Sequence, residues 1–171
     1  MKNLGIGTFI LRNSYHGYEV IELNFNSVWS RVTGASAACA EPASLLERFS
    51  ANEVYDAAYY SALASKTRSF TARKLFCALS ADENSHVRRL RPAYFLLTGQ
   101  SLAPAAPGVS LPPSLLDAVR IRHGEELSAA AEYDRAADTW PDRDAARLFA
   151  ELAADERRHA AELKRLLEKC F

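Results

Sequence analysis

Two short motifs of one type carry the chemistry of this chain: Glu83-x-x-His86 and Glu156-x-x-His159. A carboxylate and an imidazole three positions apart share one face of a helix, where both can offer lone pairs to a cation. The two motifs lie 73 residues apart, and Leu79 and Asp82 before the first match Leu152 and Asp155 before the second. The same offset takes Glu53 to Glu126, Tyr60 to Tyr133, Leu75-Phe76 to Leu148-Phe149 and Leu90 to Leu163, without a gap. Neighbours change, as where Asn84-Ser85 becomes Arg157-Arg158. The repeat therefore preserves donors: Glu53, Glu83, His86, Glu126, Glu156 and His159.

Four carboxylates gathered away from water repel one another and lose hydration, at a cost of several kcal/mol per ion. They must take up protons or bind cations. Two divalent ions offset the charge and leave two carboxylates free to bridge. A mixed oxygen and imidazole shell of more than four donors favours iron, with manganese as the alternative, over four-coordinate structural zinc. A carboxylate beside a ligand imidazole often fixes its tautomer. Asp82 is therefore expected on His159, and Asp155 on His86, across the molecule. Tyrosines at helical spacing bury their rings and keep a polar tip, so from spacing alone Tyr60 and Tyr133 read as core residues with a wet tip. His123 has no counterpart, since Ser50 stands at the matching position, and reads as a surface or peripheral histidine. Glu125 and Glu132 read as helix-face charges, and Cys77, between Phe76 and Ala78, as a core residue.

The elements that must hold these side chains are helices. From Ser44 the chain is rich in Ala, Leu, Glu and Arg, which are strong helix formers. Ser44 with Glu47 forms a capping-box start for a first helix running to about Ser65. A break at Lys66–Ser69 precedes a second helix over Phe70–Thr98, with a kink expected at Pro92. Residues 99–113 hold four prolines and two glycines and cannot be helical. Ser114, with Asp117, caps a third helix ending near Asp138. Trp140-Pro141-Asp142 turns into a fourth, which runs to the C-terminus. Glu53 and Glu83 are equidistant from residue 68, and Glu126 and Glu156 from residue 141, both inside the expected turns. Each helical hairpin thus brings two glutamates level, roughly 20 Å from its turn. Residues 99–113 span about 46 Å if extended, whereas a helix of about 25 residues is about 38 Å long. They can cross the whole bundle or pass helices to a second subunit in a swapped homodimer.

Residues 1–43 differ from the rest. Ile21, Leu23 and Phe25 alternate with polar residues. With Thr8–Arg12 before them and a turn containing Gly17 between, they read as a β-hairpin or, alternatively, as a disordered extension. Residues 31–43 read as a linker. The division is an N-terminal extension and linker over 1–43 and an all-α four-helix bundle over 44–171. Lys+Arg and Asp+Glu are both 21, a balance that argues against nucleic acid or an anionic membrane surface as partner. No apolar run spans a bilayer, and no secretory signal is evident. Three scattered cysteines without a CxxC pair fit a reducing compartment, so a cytoplasmic location is expected.

Residues 44–171 resemble the rubrerythrin branch of the ferritin-like superfamily. The likeness rests on Glu53-x6-Tyr60, Glu83-x-x-His86, Glu126-x6-Tyr133 and Glu156-x-x-His159. It implies a ferritin-like bundle with two iron ions. In it Glu53 and Glu126 would be terminal ligands, Glu83 and Glu156 bridging ones, His86 and His159 would ligate one metal each, and Tyr60 and Tyr133 would donate to the carboxylates. The family usually places a mobile glutamate where Ala129 stands and adds a four-cysteine rubredoxin-like module that is absent from this sequence. The implied activity is di-iron reduction of peroxide or O2, with electrons from an external donor. A ferroxidase or iron-storage protein is the alternative, and storage would need a large assembly. A structural bundle with non-catalytic metal is the third reading.

Overall fold

The computed structural model describes residues 7–11, 19–23, 40–105 and 108–170. Strands β1 (Gly7–Leu11) and β2 (Glu19–Leu23) pair antiparallel, with Phe9 opposite Ile21. The expected Gly17 turn and most of the linker lie outside the described residues. Four helices follow: α1 (Ala40–Lys66), α2 (Phe70–Thr98), α3 (Leu115–Thr139) and α4 (Arg143–Cys170).

Local chemistry accounts for the helix ends. Ser69 caps α2 by accepting the Ala72 N–H at 3.3 Å. Gly99 closes it in the left-handed region, at φ 72°, and donates its N–H to the Phe95 carbonyl. Ser114 accepts the Asp117 N–H at 3.3 Å to start α3. The Asp142 carboxylate accepts the Ala145 N–H at 3.0 Å to start α4. One boundary differs from expectation. α1 begins at Ala40, not Ser44, and takes in the end of the presumed linker. Pro42 is tolerated in a first turn, where a backbone N–H would have no partner, and Glu41 complements the helix dipole there. Ser44 donates its hydroxyl back to the Glu41 carbonyl at 2.9 Å and caps nothing. Pro92 is exposed, and α2 continues through it to Thr98.

α1 packs along α2, α3 packs along α4, and α2 meets α4. Two apolar clusters result. One contains Tyr60, Leu63, Phe76, Leu79, Val119 and Leu163. The other contains Leu46, Phe49, Leu90, Tyr133, Phe149 and Leu152. The repeat relates them, since Tyr60, Phe76 and Leu79 in the first match Tyr133, Phe149 and Leu152 in the second. The connection from α2 to α3 ties the two ends together. Leu102 packs into the second cluster, whereas Val109 and Leu111 pack against the first. The segment therefore runs the length of the bundle within one chain, the long crossover of a ferritin-like fold. Cys77, expected in the core, is exposed. The buried stripe of α2 runs through Ala72, Phe76, Leu79, Glu83, His86 and Leu90, and Cys77 lies about 100° around the helix from Phe76. Among the described residues no helix is long and apolar enough to cross a membrane.

Candidate metal centre

A polar layer lies between the apolar clusters, and its members come from all four helices. Glu53 (α1), Glu83 and His86 (α2), Glu126 (α3), and Glu156 and His159 (α4) are all at most 4% exposed. Their donor atoms form two groups, Glu53, Glu83, His86 and Glu156 in one, and Glu83, Glu126, Glu156 and His159 in the other. Within each group the atoms lie within 4.8 Å of one another, and Glu83 and Glu156 belong to both. The Nδ1 atom of each imidazole faces inward. His86 Nδ1 is 2.9 Å from Glu53, 3.0 Å from Glu83 and 3.0 Å from Glu156. His159 Nδ1 is 3.1 Å from Glu83, 3.3 Å from Glu156 and 3.5 Å from Glu126. The two rings stack with centroids 5.6 Å apart.

These atoms fit a cation. Both Glu83 oxygens, Glu156 Oε1 and His159 Nδ1 are buried without a well-formed hydrogen bond. Unsatisfied buried polar atoms are costly, and here several converge on the same space with hard oxygen and imidazole chemistry. Without a metal, protons must balance the charge. Burial pushes Glu156 up to about 7 and Glu53 well above its ordinary range, with the Glu156 and Glu83 charges adding to the effect. Burial would also raise Glu83, but the imidazoles of His159 and His86 close beside it hold it down at about 2. Burial alone would lower His86, yet the carboxylates of Glu156, Glu53 and Glu83 gathered around its Nδ1 hold it up at about 12.

The outer contacts fall where the repeat places them. Tyr133 donates to Glu53 and Tyr60 donates to Glu126. Burial, reinforced by those carboxylates, keeps both phenols protonated. Asp82 Oδ2 lies 3.4 Å from His159 Nε2, and Asp155 Oδ2 lies 3.4 Å from His86 Nε2, both across the bundle. Each contact uses the ring nitrogen that faces away from the cluster. Arg158 joins the two aspartates, at 3.1 Å from each.

One buried residue was not anticipated. The Arg122 side chain is 2% exposed and sits beside the centre. It contacts Glu126 Oε1 at 2.7 Å, Asp56 at 2.6 Å and Glu125 at 2.6 Å. Its Nε donates to the Tyr60 hydroxyl at 3.3 Å, and its guanidinium lies over the Tyr60 ring. Glu125 is thus more than a solvated charge, and Glu132 pairs with Arg48. His123 is half-buried on α3 and is not among the grouped donors. A pocket of about 250 Å³ opens between α1 and α3, reaching Glu53, Tyr133 and Arg122 past Asn52, Asp56, Ala129 and Glu132.

The fold and this layer define a class, a ferritin-like helical bundle with a buried carboxylate–histidine metal site. The particular family follows from comparison with known sequences. The sequence profile of rubrerythrin matches residues 44–167, and the chain belongs to that family. In such a family, the buried donor set marks a metal site of the kind typically filled by iron. A hypothetical protein from Pyrococcus furiosus shares the fold, with a TM-score of 0.68 and 21% identity over 78% of this chain and 92% of that one. No curated protein sequence matches this chain significantly.

Proposed function

We propose that this protein is a non-haem di-iron oxidoreductase that reduces peroxide or O2 with electrons from an external donor. The observation that carries the reading is the pair of donor groups sharing Glu83 and Glu156. Two separate sites would not share ligands, whereas two ions bridged by carboxylates would. Glu53 and His86 would complete one position, and Glu126 and His159 the other. When bound, a pair of Fe(II) ions supplies the two electrons that break the O–O bond of peroxide, with two protons completing two waters. Tyr133 and Tyr60 each occupy one oxygen of Glu53 and Glu126, leaving the other oxygen to face inward. Asp155 and Asp82 hold the imidazoles with Nδ1 toward the centre. The apolar clusters exclude bulk water from both ends, and the pocket between α1 and α3 gives a small oxidant a route to Glu53.

The test is stopped-flow spectroscopy of the full chain loaded anaerobically with Fe(II). Addition of H2O2 is expected to raise near-ultraviolet absorbance within seconds, and a chemical reductant should reverse it. A flat trace with both H2O2 and O2, from protein shown to contain iron, would reject the reading.

A further inference from the structure

The repeat is faithful around Glu83, His86, Glu156 and His159 and broken on the face of α1 and α3. Arg122 stands where the first half has Phe49, and Asp56 stands where the second half has Ala129. The substitutions are coupled in space, because Arg122 and Asp56 form one ion pair at 2.6 Å across the two helices. A guanidinium buried to this degree needs such a partner.

The consequence falls on Glu126. Its Oε1 accepts two hydrogen bonds, from Tyr60 and from Arg122 Nη2. The matching oxygen of Glu53 accepts from Tyr133, and near it Phe49 packs on the Tyr133 ring with centroids 4.4 Å apart. A charge-assisted hydrogen bond draws electron density from the carboxylate that accepts it. The guanidinium also sets a positive charge beside one end of a site built for cations. Asp56 and Glu125 bind its other nitrogen, Nη1, while Nη2 points at Glu126.

We propose that Arg122 makes the two metal positions unequal, weakening the one completed by Glu126 and His159 relative to the one completed by Glu53 and His86. The ions then load in order, the Glu53–His86 position first. Arg122 acts through Glu126 and is a positioning residue. The inference rests on the two-ion reading above.

The test is titration of metal-free protein with Mn(II), following free Mn(II) by electron paramagnetic resonance. Two ions per chain are expected, with dissociation constants separated by about tenfold or more, the scale on which outer contacts tune metal affinity. His159→Ala should abolish the weaker event and keep the tighter one. The double variant Arg122→Phe with Asp56→Ala gives both halves the same residues at these two positions and should bring the two constants together, whereas Arg122→Lys should keep them apart. Two ions of equal affinity in the unaltered protein would overturn the inference and leave the two-ion reading standing. So would loss of the tighter event in His159→Ala, or an unchanged separation in the double variant. Binding of one ion only would overturn both. Should the double variant fail to fold, the unaltered protein and His159→Ala still decide.

Discussion

At the scale of the residue, the centre is a set of acids and bases competing for protons in a dry layer. A cation at Nδ1 requires a neutral imidazole, and His86 is held protonated up to about 12. Loading must therefore expel protons. Adding Mn(II) to metal-free protein in weak buffer at about pH 7 should release about two protons or more per chain, read with an indicator dye. A silent dye alongside proven binding would contradict the assignment of the imidazoles. The same groups set the pH dependence of stability. The raised His86 value stabilises the metal-free fold fully below its ordinary 6.5, and that contribution fades as pH rises toward about 12. Glu156 acts in the same direction, contributing below 4.5 and losing it as pH rises through about 7. Glu83 contributes above 4.5 and loses it as pH falls through about 2. Metal-free protein should thus melt highest near about pH 4.5 and lower as pH rises through about 7, where Glu156 gives up its contribution, and the gain from Mn(II) should widen above about pH 7 in calorimetry. The six donors were legible because both halves keep them. Arg122 was not, for the same reason inverted: the repeat has Phe49 at the matching position, so nothing in the other half points to it. A different signal was present, since Arg122 lies between Val119 and Glu126 at the spacing of the buried stripe. A charge on that stripe demands a partner.

At the scale of the element, helix ends were readable wherever a side chain or glycine makes them. Ser69, Gly99, Ser114 and Asp142 each close or open a helix by a named hydrogen bond. The start of α1 was not, because Pro42 read as a linker residue when it sits in a first turn, and Ser44 offered a cap that its hydroxyl does not make. Two glycines predict opposite outcomes from one substitution. Gly99 has φ +72° with nothing within 4 Å of an added Cβ. Gly99→Ala should therefore lose roughly 1–2 kcal/mol through the backbone alone. Gly124 is exposed inside α3 and also has open space for a Cβ. Gly124→Ala should gain roughly 0.5–1 kcal/mol by removing the glycine's conformational freedom in the unfolded chain. Urea titrations of the two variants would check both signs, and a shift in the same direction for both would contradict the helix-end account. The crossover was legible in length but not in path. Its prolines exclude a helix, but a path within one chain is shown only by Leu102 and Val109 packing at opposite ends of the bundle.

At the scale of the molecule, the polar layer weakens a fold that the flanking clusters sustain. Tyr60, Phe76, Leu79 and Leu163 on one side, and Tyr133, Phe149, Leu90 and Leu152 on the other, are all at most 1% exposed. Each such side chain contributes roughly 1.5–3 kcal/mol on burial. The clusters do not need the metal to form, unlike a zinc finger, whose fold is the metal's gift. Treatment with chelator should therefore leave the helical circular dichroism in place and lower the melting temperature. The buried carboxylates of the layer cost the metal-free fold stability, and Glu156 shows the conflict most plainly. Burial drives it toward the neutral acid, up to about 7, while a bridging role needs it ionised. Glu156→Gln keeps the shape and removes the charge. It should match or exceed the unaltered protein's melting temperature in chelator at about pH 8, and lose most of the gain that Mn(II) gives. If instead Glu156→Gln melts lower in chelator and keeps the full gain from Mn(II), the carboxylate is a structural support and not a shared ligand.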